Sequence, residues 1–464
     1  MPHNPNPFDF VPFAQEPKLL RPEDFDKMGK KISGYLDVRI HALTPIHVVG
    51  TYERGQGESH SAMYRQDGSP MIPAASIRGM LRAFMEALTS GWISQATETY
   101  PKIYGSRHLG FSLFDDYVDD KNRHVPPAVG AEFRPTRRPD GQVDLATYLF
   151  GIVTEPRRGD EPPLTMKSKV WIEDALVPEE ALVTGKYWTP DIDSDAFMGG
   201  PKPSRSNWWY FYPHQIWLRK TEGHELAEFV GEKLRGRKFY FHQPPEGTMR
   251  FYDKNGAWPY SRKRPFHRVW LESMERGTST HPFRIYFDGV PIYLAALFVL
   301  MLMPGPTIRH KIGFGKAYGY GSMALEVLDV FMRYDIPGSL PAELQPFNLI
   351  LKGWDRELLD RYHLSWFIDW RALTWLARIL GWQEDRSLLC TYPPFARHGF
   401  MQPVTWEDLK TLAPRDIVVR SPMTVTSREA RKIAEALFEI KKPIHFRYYQ
   451  EQANGWEIIK ARKP

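Results

Sequence analysis

Between residues 312 and 321 the chain reads Ile312-Gly313-Phe314-Gly315-Lys316-Ala317-Tyr318-Gly319-Tyr320-Gly321, its densest glycine cluster. Glycine adopts backbone conformations closed to other residues, so such a loop lets another backbone or a phosphate come close. What flanks the loop decides which fold it serves. A dinucleotide site needs a strand before the glycines and a helix after them. Here the order is inverted, with an apolar helix (Pro291 to Met303) before the loop and a strand (Met323 to Val330) after it. The loop's Phe314, Tyr318 and Tyr320 offer stacking faces, and Lys311 and Lys316 add positive charge. A glycine-rich turn packed on its own sheet is the bland alternative.

The first half of the chain has a similar order. In Leu36 to Ala42 apolar and polar residues alternate, the period of a strand with one face buried. Val49 to Ser69 carries four glycines and many polar residues and reads as a long loop. Pro73-Ala74-Ala75-Ser76 then opens a helix with Ser76 as N-cap, and Ile77, Leu81, Phe84 and Leu88 share one face. Arg78 and Arg82 share a second face, one turn apart. Further strand signals fall at Val170-Trp171-Ile172, Lys238 to Phe241 and Phe283 to Phe287.

The order strand, helix, insertions, strand, helix, strand predicts an α+β chain with a ferredoxin-like split βαβ sandwich. Residues 1–30 read as an extended N-terminal arm rich in proline. Residues 31–331 form the ferredoxin-like domain, with insertions at about 95–165 and 176–280. Residues 332–464 form a mainly helical C-terminal extension, with helices near Asp355 to Gly381 and Ser427 to Lys441.

Charge and composition narrow the function. The chain carries a formal charge of +6, which is compatible with a nucleic-acid partner without requiring one. Basic and aromatic residues interleave at Arg235 to His242, which includes Arg237 and Lys238, and again at Arg262 to Arg268. That pattern suits single-stranded nucleic acid, because rings stack on bases while cations meet phosphates. Each cluster alone is also what a solvated surface looks like. The single cysteine, Cys390, rules out a disulfide framework and a thiolate zinc site. No HExxH pair, Walker loop or nucleophile elbow is present. No apolar run reaches the roughly 20 residues of a membrane span, and no signal peptide is evident, so a cytoplasmic location is expected.

Together, Thr44-Pro45-Ile46-His47-Val48-Val49-Gly50, the segment Pro70 to Arg82 and the glycine loop resemble the signatures of the RAMP superfamily of CRISPR-associated proteins. They are most similar to the backbone subunits of type III systems. Leu149-Phe150-Gly151 and Trp171 to Ala175 also resemble that group, and Gly236 to Gln243 resembles a larger single-gene variety. The resemblance spans about residues 32 to 330. It implies a modified, RNA-recognition-motif-like ferredoxin fold with large insertions that grips guide RNA in a multi-subunit effector. The implied partners are guide RNA, target RNA and other effector subunits, with no membrane. It also implies that Ser76, Arg78, Arg82, Lys311, Gly313, Gly315 and Lys316 meet guide phosphates, alongside Arg237 and Lys238 of the basic–aromatic segment.

Slicing members of that group carry an aspartate shortly before the Pro-x-Ile-Pro segment; here that position falls at about His60, with Glu58 and Asp67 the nearest carboxylates. An aspartate would support Mg²⁺-assisted cleavage of target RNA. A histidine, His60 or His47, would act as a metal-independent acid or base, as in processing of a guide precursor. Binding without cutting is the third expectation, along with an adaptor role for the Trp-rich stretch Trp354 to Trp382.

Overall fold

The structure, a computed structural model, describes residues 8–55, 58–101, 109–119, 122–155, 162–190, 205, 210–221, 224–245, 266–333, 354–382, 423–424, 446–452 and 455–462. The elements that position the site are β1 (Phe8–Val11), β2 (Lys31–Ala42), β3 (Val49–Arg54), β4 (Glu58–Met63), α1 (Ala74–Leu88), α2 (Leu145–Phe150), β5 (Val170–Ile172) and β6 (Leu182–Pro190). They continue with β7 (Arg237–Tyr240), β8 (Phe266–Met274), β9 (Phe283–Pro291), α3 (Ile292–Leu302), β10 (His310–Lys311), β11 (Ser322–Arg333) and α4 (Trp370–Ile379).

The central sheet runs β5-β9-β2-β11-β10, with every neighbour antiparallel. Taking β2, β5, β9 and β11 as strands one to four, the order across the sheet is 2-3-1-4. Strands one and two are therefore parallel with strand three between them, and α1 lies in that crossover. Strands three and four flank strand one in the same way, with α3 in theirs. These are the two split βαβ units of a ferredoxin-like fold.

Alternation along β2 explains where the core lies. Leu36, Val38 and Ile40 are fully buried, while Tyr35, Asp37, Arg39 and His41 on the other face are not. The buried face meets α1, whose Ile77, Leu81, Phe84 and Leu88 are all buried. Each such side chain contributes roughly 1.5–3 kcal/mol, and Phe84→Ala would cost about 3–5 kcal/mol. Helix α3 is apolar on every side and buried on every side, from Leu294 to Leu302. Its outer side is closed by residues beyond 354. Trp354 Nε1 donates to the Pro304 carbonyl at 3.1 Å, and Leu373, Leu376 and Ile379 of α4 join the same core. The helical signal near Asp355 to Gly381 is thus two short helices, Arg356–Arg361 and α4. Residues 427 to 441 lie outside the described residues.

Two expectations are corrected. Val49 to Ser69 is not a loop: β3 and β4 pair as a hairpin, and Arg65–Gln66 turns back on Ser69–Ile72. That second turn is Asp67-Gly68, with φ of 50° and 83°, the geometry an Asp-Gly hairpin favours. Ser76 does not cap α1. The helix begins after Pro73, and the Ala74 amide donates to Asp174 Oδ1 at 2.7 Å, so the cap comes from a residue 100 positions away.

Outside the central sheet, β3 and β4 extend through β8 to β6 in a second sheet, with β4 and β8 parallel. The arm adds β1 to β7, antiparallel. After residue 332 the described strands Phe446–Gln452 and Gly455–Arg462 form a hairpin, whose first strand runs parallel to Phe211–Thr221.

Candidate nucleic-acid interface

A groove of about 600 Å³ runs between the first half of α1 and the glycine loop. On the helix side it is lined by Ala75, Ser76, Gly79 and Ala83, small residues that let a ligand approach the helix closely. Across from them stand Lys238, Lys311, Gly313 and Lys316, with Phe239, Tyr240 and Phe314 supplying rings. Among the described residues no carboxylate lines it.

The strand period of β7 decides which cation reaches the groove. Successive side chains on a strand point to opposite faces. Lys238 faces the groove and Arg237 faces the interior. Lys238 Nζ lies 3.9 Å from the Phe8 ring centroid and 4.7 Å from that of Tyr240, and it donates to the Tyr210 hydroxyl at 2.9 Å. Burial pushes its pKa down to about 7, and the nearby Lys316 ammonium adds to the shift. Burial likewise lowers Lys316, whose Nζ donates to the Gly313 carbonyl at 2.5 Å. Lys311 Nζ donates to the Phe241 carbonyl at 2.9 Å. His310, also at the groove, is pushed down to about 4 by burial, so it is neutral there.

The glycine loop is held against the first strand's exit. The Phe314 amide donates to the His47 carbonyl and the Gly321 amide to the Pro45 carbonyl, both at 2.8 Å. Gly313 has φ 78°, and a Cβ there would strike the His47 carbonyl oxygen, so only glycine fits. Gly315 is left-handed at φ 71° and precedes a single 3₁₀ turn, Lys316–Tyr318; it shapes the loop without lining the groove.

The arginines lie elsewhere. Arg82 is buried, with Nε on Glu86 Oε1 at 2.9 Å and Nη1 donating to the Gly151 carbonyl at 2.6 Å. Arg237 closes the other side of Glu86 at 3.3 Å and donates to the Gly91 and Trp92 carbonyls. Burial raises the Glu86 carboxyl and lowers the Arg237 guanidinium. Arg78 donates to the Phe150 carbonyl. These three bind α1, α2 and β7 together; none lines the groove.

The cleavage candidates are dispersed. His47 is fully buried, its Nδ1 donating to the Glu272 carbonyl at 2.6 Å and its Nε2 accepting from the Ser61 hydroxyl at 2.9 Å; burial lowers its pKa. His60 is exposed on β4, stacked on Trp270 at 6.1 Å and in register with Glu53. Asp67 sits at the hairpin turn. Among the described residues no three His, Cys, Asp or Glu side chains cluster as metal ligands. No helix among them is long and apolar enough to cross a membrane.

Sequence reading missed Glu53, the capping Asp174, and the ring cage around Lys238. Only strand alternation in Arg237-Lys238-Phe239-Tyr240 hinted at the last.

A ferredoxin-like sheet with a cationic, carboxylate-free groove beside a glycine loop defines a protein built to hold a polyanion. The RAMP superfamily profile matches residues 39–324, more than half of the chain, and the chain belongs to that superfamily. Membership carries a CRISPR-associated, RNA-binding role within multi-subunit complexes. The match begins inside β2 and ends inside β11, so it takes in both split βαβ units. No curated protein matches the chain.

Proposed function

We infer that the groove holds the guide strand of a type III-like CRISPR effector in antiviral defence, with guide-paired target RNA and other effector subunits as partners. The observation that carries this is the convergence of Lys238, Lys311 and Lys316 on a groove without acidic lining, facing the small-residue side of α1. Phosphate contacts of this kind position a strand without reading its sequence, and pairing with the guide does the reading. Binding to single-stranded RNA of unrelated sequences should differ little. Lys311→Ala and Lys316→Ala should each reduce the slope of log affinity against log salt by about 0.7. Unchanged slopes in both variants would overturn the groove as the RNA path.

A second reading is metal-independent cleavage of a guide precursor. Its support is His60, exposed and directly across from Glu53 on the neighbouring strand, a pairing that suits an acid–base role. Repeat-containing RNA incubated in EDTA should give a discrete product that His60→Ala abolishes. Cleavage only of guide-paired target and only with Mg²⁺ would mean slicing instead. Tight binding with no product under either condition would mean a scaffold.

A further inference from the structure

One side chain in the groove differs in kind from its lysines. His310, on β10, keeps only 2% of its surface exposed and yet lines the groove. Its Nε2 lies 2.9 Å from the Met301 carbonyl oxygen and 3.2 Å from that of Leu302. Those carbonyls belong to the last turn of α3, where no further helical amide follows to meet them. A carbonyl oxygen only accepts, so Nε2 carries the proton. Burial holds the ring neutral by pushing its pKa down to about 4, and Nδ1 is left as a bare lone pair. The Phe84 ring, set T-shaped at 5.0 Å, fixes the plane of the imidazole.

Nδ1 has no hydrogen-bond partner among the described residues. The side-chain atoms that lack a partner and are sealed from solvent there are Trp92 Nε1, Arg134 Nε, Arg138 Nε and Ser273 Oγ. Nδ1 is not among them, so its lone pair opens onto the groove. The other polar side chains of the lining behave differently. Lys238, Lys311 and Lys316 only donate, and the hydroxyls of Ser76 and Tyr240 do either. A phosphate oxygen facing Nδ1 would set lone pair against lone pair, so this spot calls for a donor. Its recess admits only a small, protruding one. On a polynucleotide backbone that donor is the ribose 2′-hydroxyl, present on every RNA nucleotide and absent from DNA. It also lies beside the phosphates that the lysines attract.

We propose, on the reading that the groove holds RNA, that His310 Nδ1 accepts a hydrogen bond from a ribose 2′-hydroxyl and makes the groove select RNA over DNA.

The test titrates the full chain with three labelled strands of equal length: oligouridine, oligodeoxyuridine and 2′-fluoro-oligouridine, which keeps the ribose pucker but cannot donate. Oligouridine should bind about threefold to tenfold more tightly than either of the others. His310→Phe, which keeps a ring and removes both nitrogens, should bring oligouridine down to the level of the other two and leave those unchanged. Equal binding of all three strands by the wild type would overturn the proposal. So would a 2′-fluoro strand bound as tightly as RNA, because sugar shape would then be what is read. Full RNA preference in a folded His310→Phe would place the hydroxyl's partner elsewhere and overturn it too. If thermal unfolding shows that this variant does not fold, the three strands on the wild type decide alone. Lys311→Ala and Lys316→Ala separate this assignment from the groove's. Reduced salt slopes with no sugar preference would sink only the role of His310, whereas unchanged slopes would remove the groove as the RNA path.

Discussion

Two sets of basic residues, all candidate phosphate contacts in the sequence, end in opposite environments. Arg82 and Arg237 are locked around Glu86 in the interior, while Lys238, Lys311 and Lys316 edge the groove. The contrast is sharpest at neighbours 237 and 238, where one strand step separates a structural ion pair from an ammonium that lines the groove. A guanidinium's several donors, in a fixed fork, can satisfy a carboxylate and two carbonyls at once. An ammonium on a flexible stem can reach one carbonyl and still turn to a phosphate. Arginine is thus the residue that closes the interior network, and lysine the one that lines the groove.

The comparison breaks most visibly at Glu86. Glu86→Ala leaves two guanidinium ions buried without their shared carboxylate, which should cost about 3–5 kcal/mol in chemical denaturation. If stability is unchanged, the interior set is not structural and the distinction fails. Gly313→Ala comes next. It forces a side chain into a left-handed position against the His47 carbonyl and should cost roughly 1–3 kcal/mol, along with weaker RNA binding. Lys238→Met should move the two readouts apart. Replacing a buried cation in a cage of rings by an apolar side chain should leave stability equal or higher, while RNA affinity falls about tenfold. A fall in both would place Lys238 with the structural set.

How legible this was depended on whether one face of a segment is apolar. Strand β2 and helix α1 show clean periods because each buries one side, and α1's four predicted core residues are all buried, while α3 is legible as an unbroken apolar run because it is buried on every side. The hairpin of β3 and β4 escaped because Thr51, Tyr52 and Glu53 are all exposed, so no apolar period exists to read. The site was half legible. Its lysines and Ser76 converge on one groove, but a basic residue's partner is set by tertiary register. Nothing local to Arg82 announces Glu86, Thr147 and Gly151 as its partners. Asp174 as the cap of α1 was invisible for the same reason.

The smallest expected effect tests the lysine side of the comparison by pH. In the free protein Lys238 has a pKa of about 7, far below its ordinary 10.5, because burial disfavours the ammonium. RNA binds the charged form, so affinity should fall severalfold as pH rises from about 6 to 8 at constant ionic strength. Phosphate beside the ammonium favours the charged form, so the bound-state pKa lies above 7 and the protein takes up a proton on binding. Stability of the free chain runs the other way. Between about 7 and 10.5 the unfolded chain holds the Lys238 proton and the folded chain does not, so folding becomes more favourable as pH rises through that window. Lys238→Arg keeps its charge throughout and should flatten both profiles, read by RNA titration and by thermal unfolding across pH. If the variant retains the full wild-type pH dependence, Lys238 is not the titrating contact, and the groove's charge rests on Lys311 and Lys316 alone.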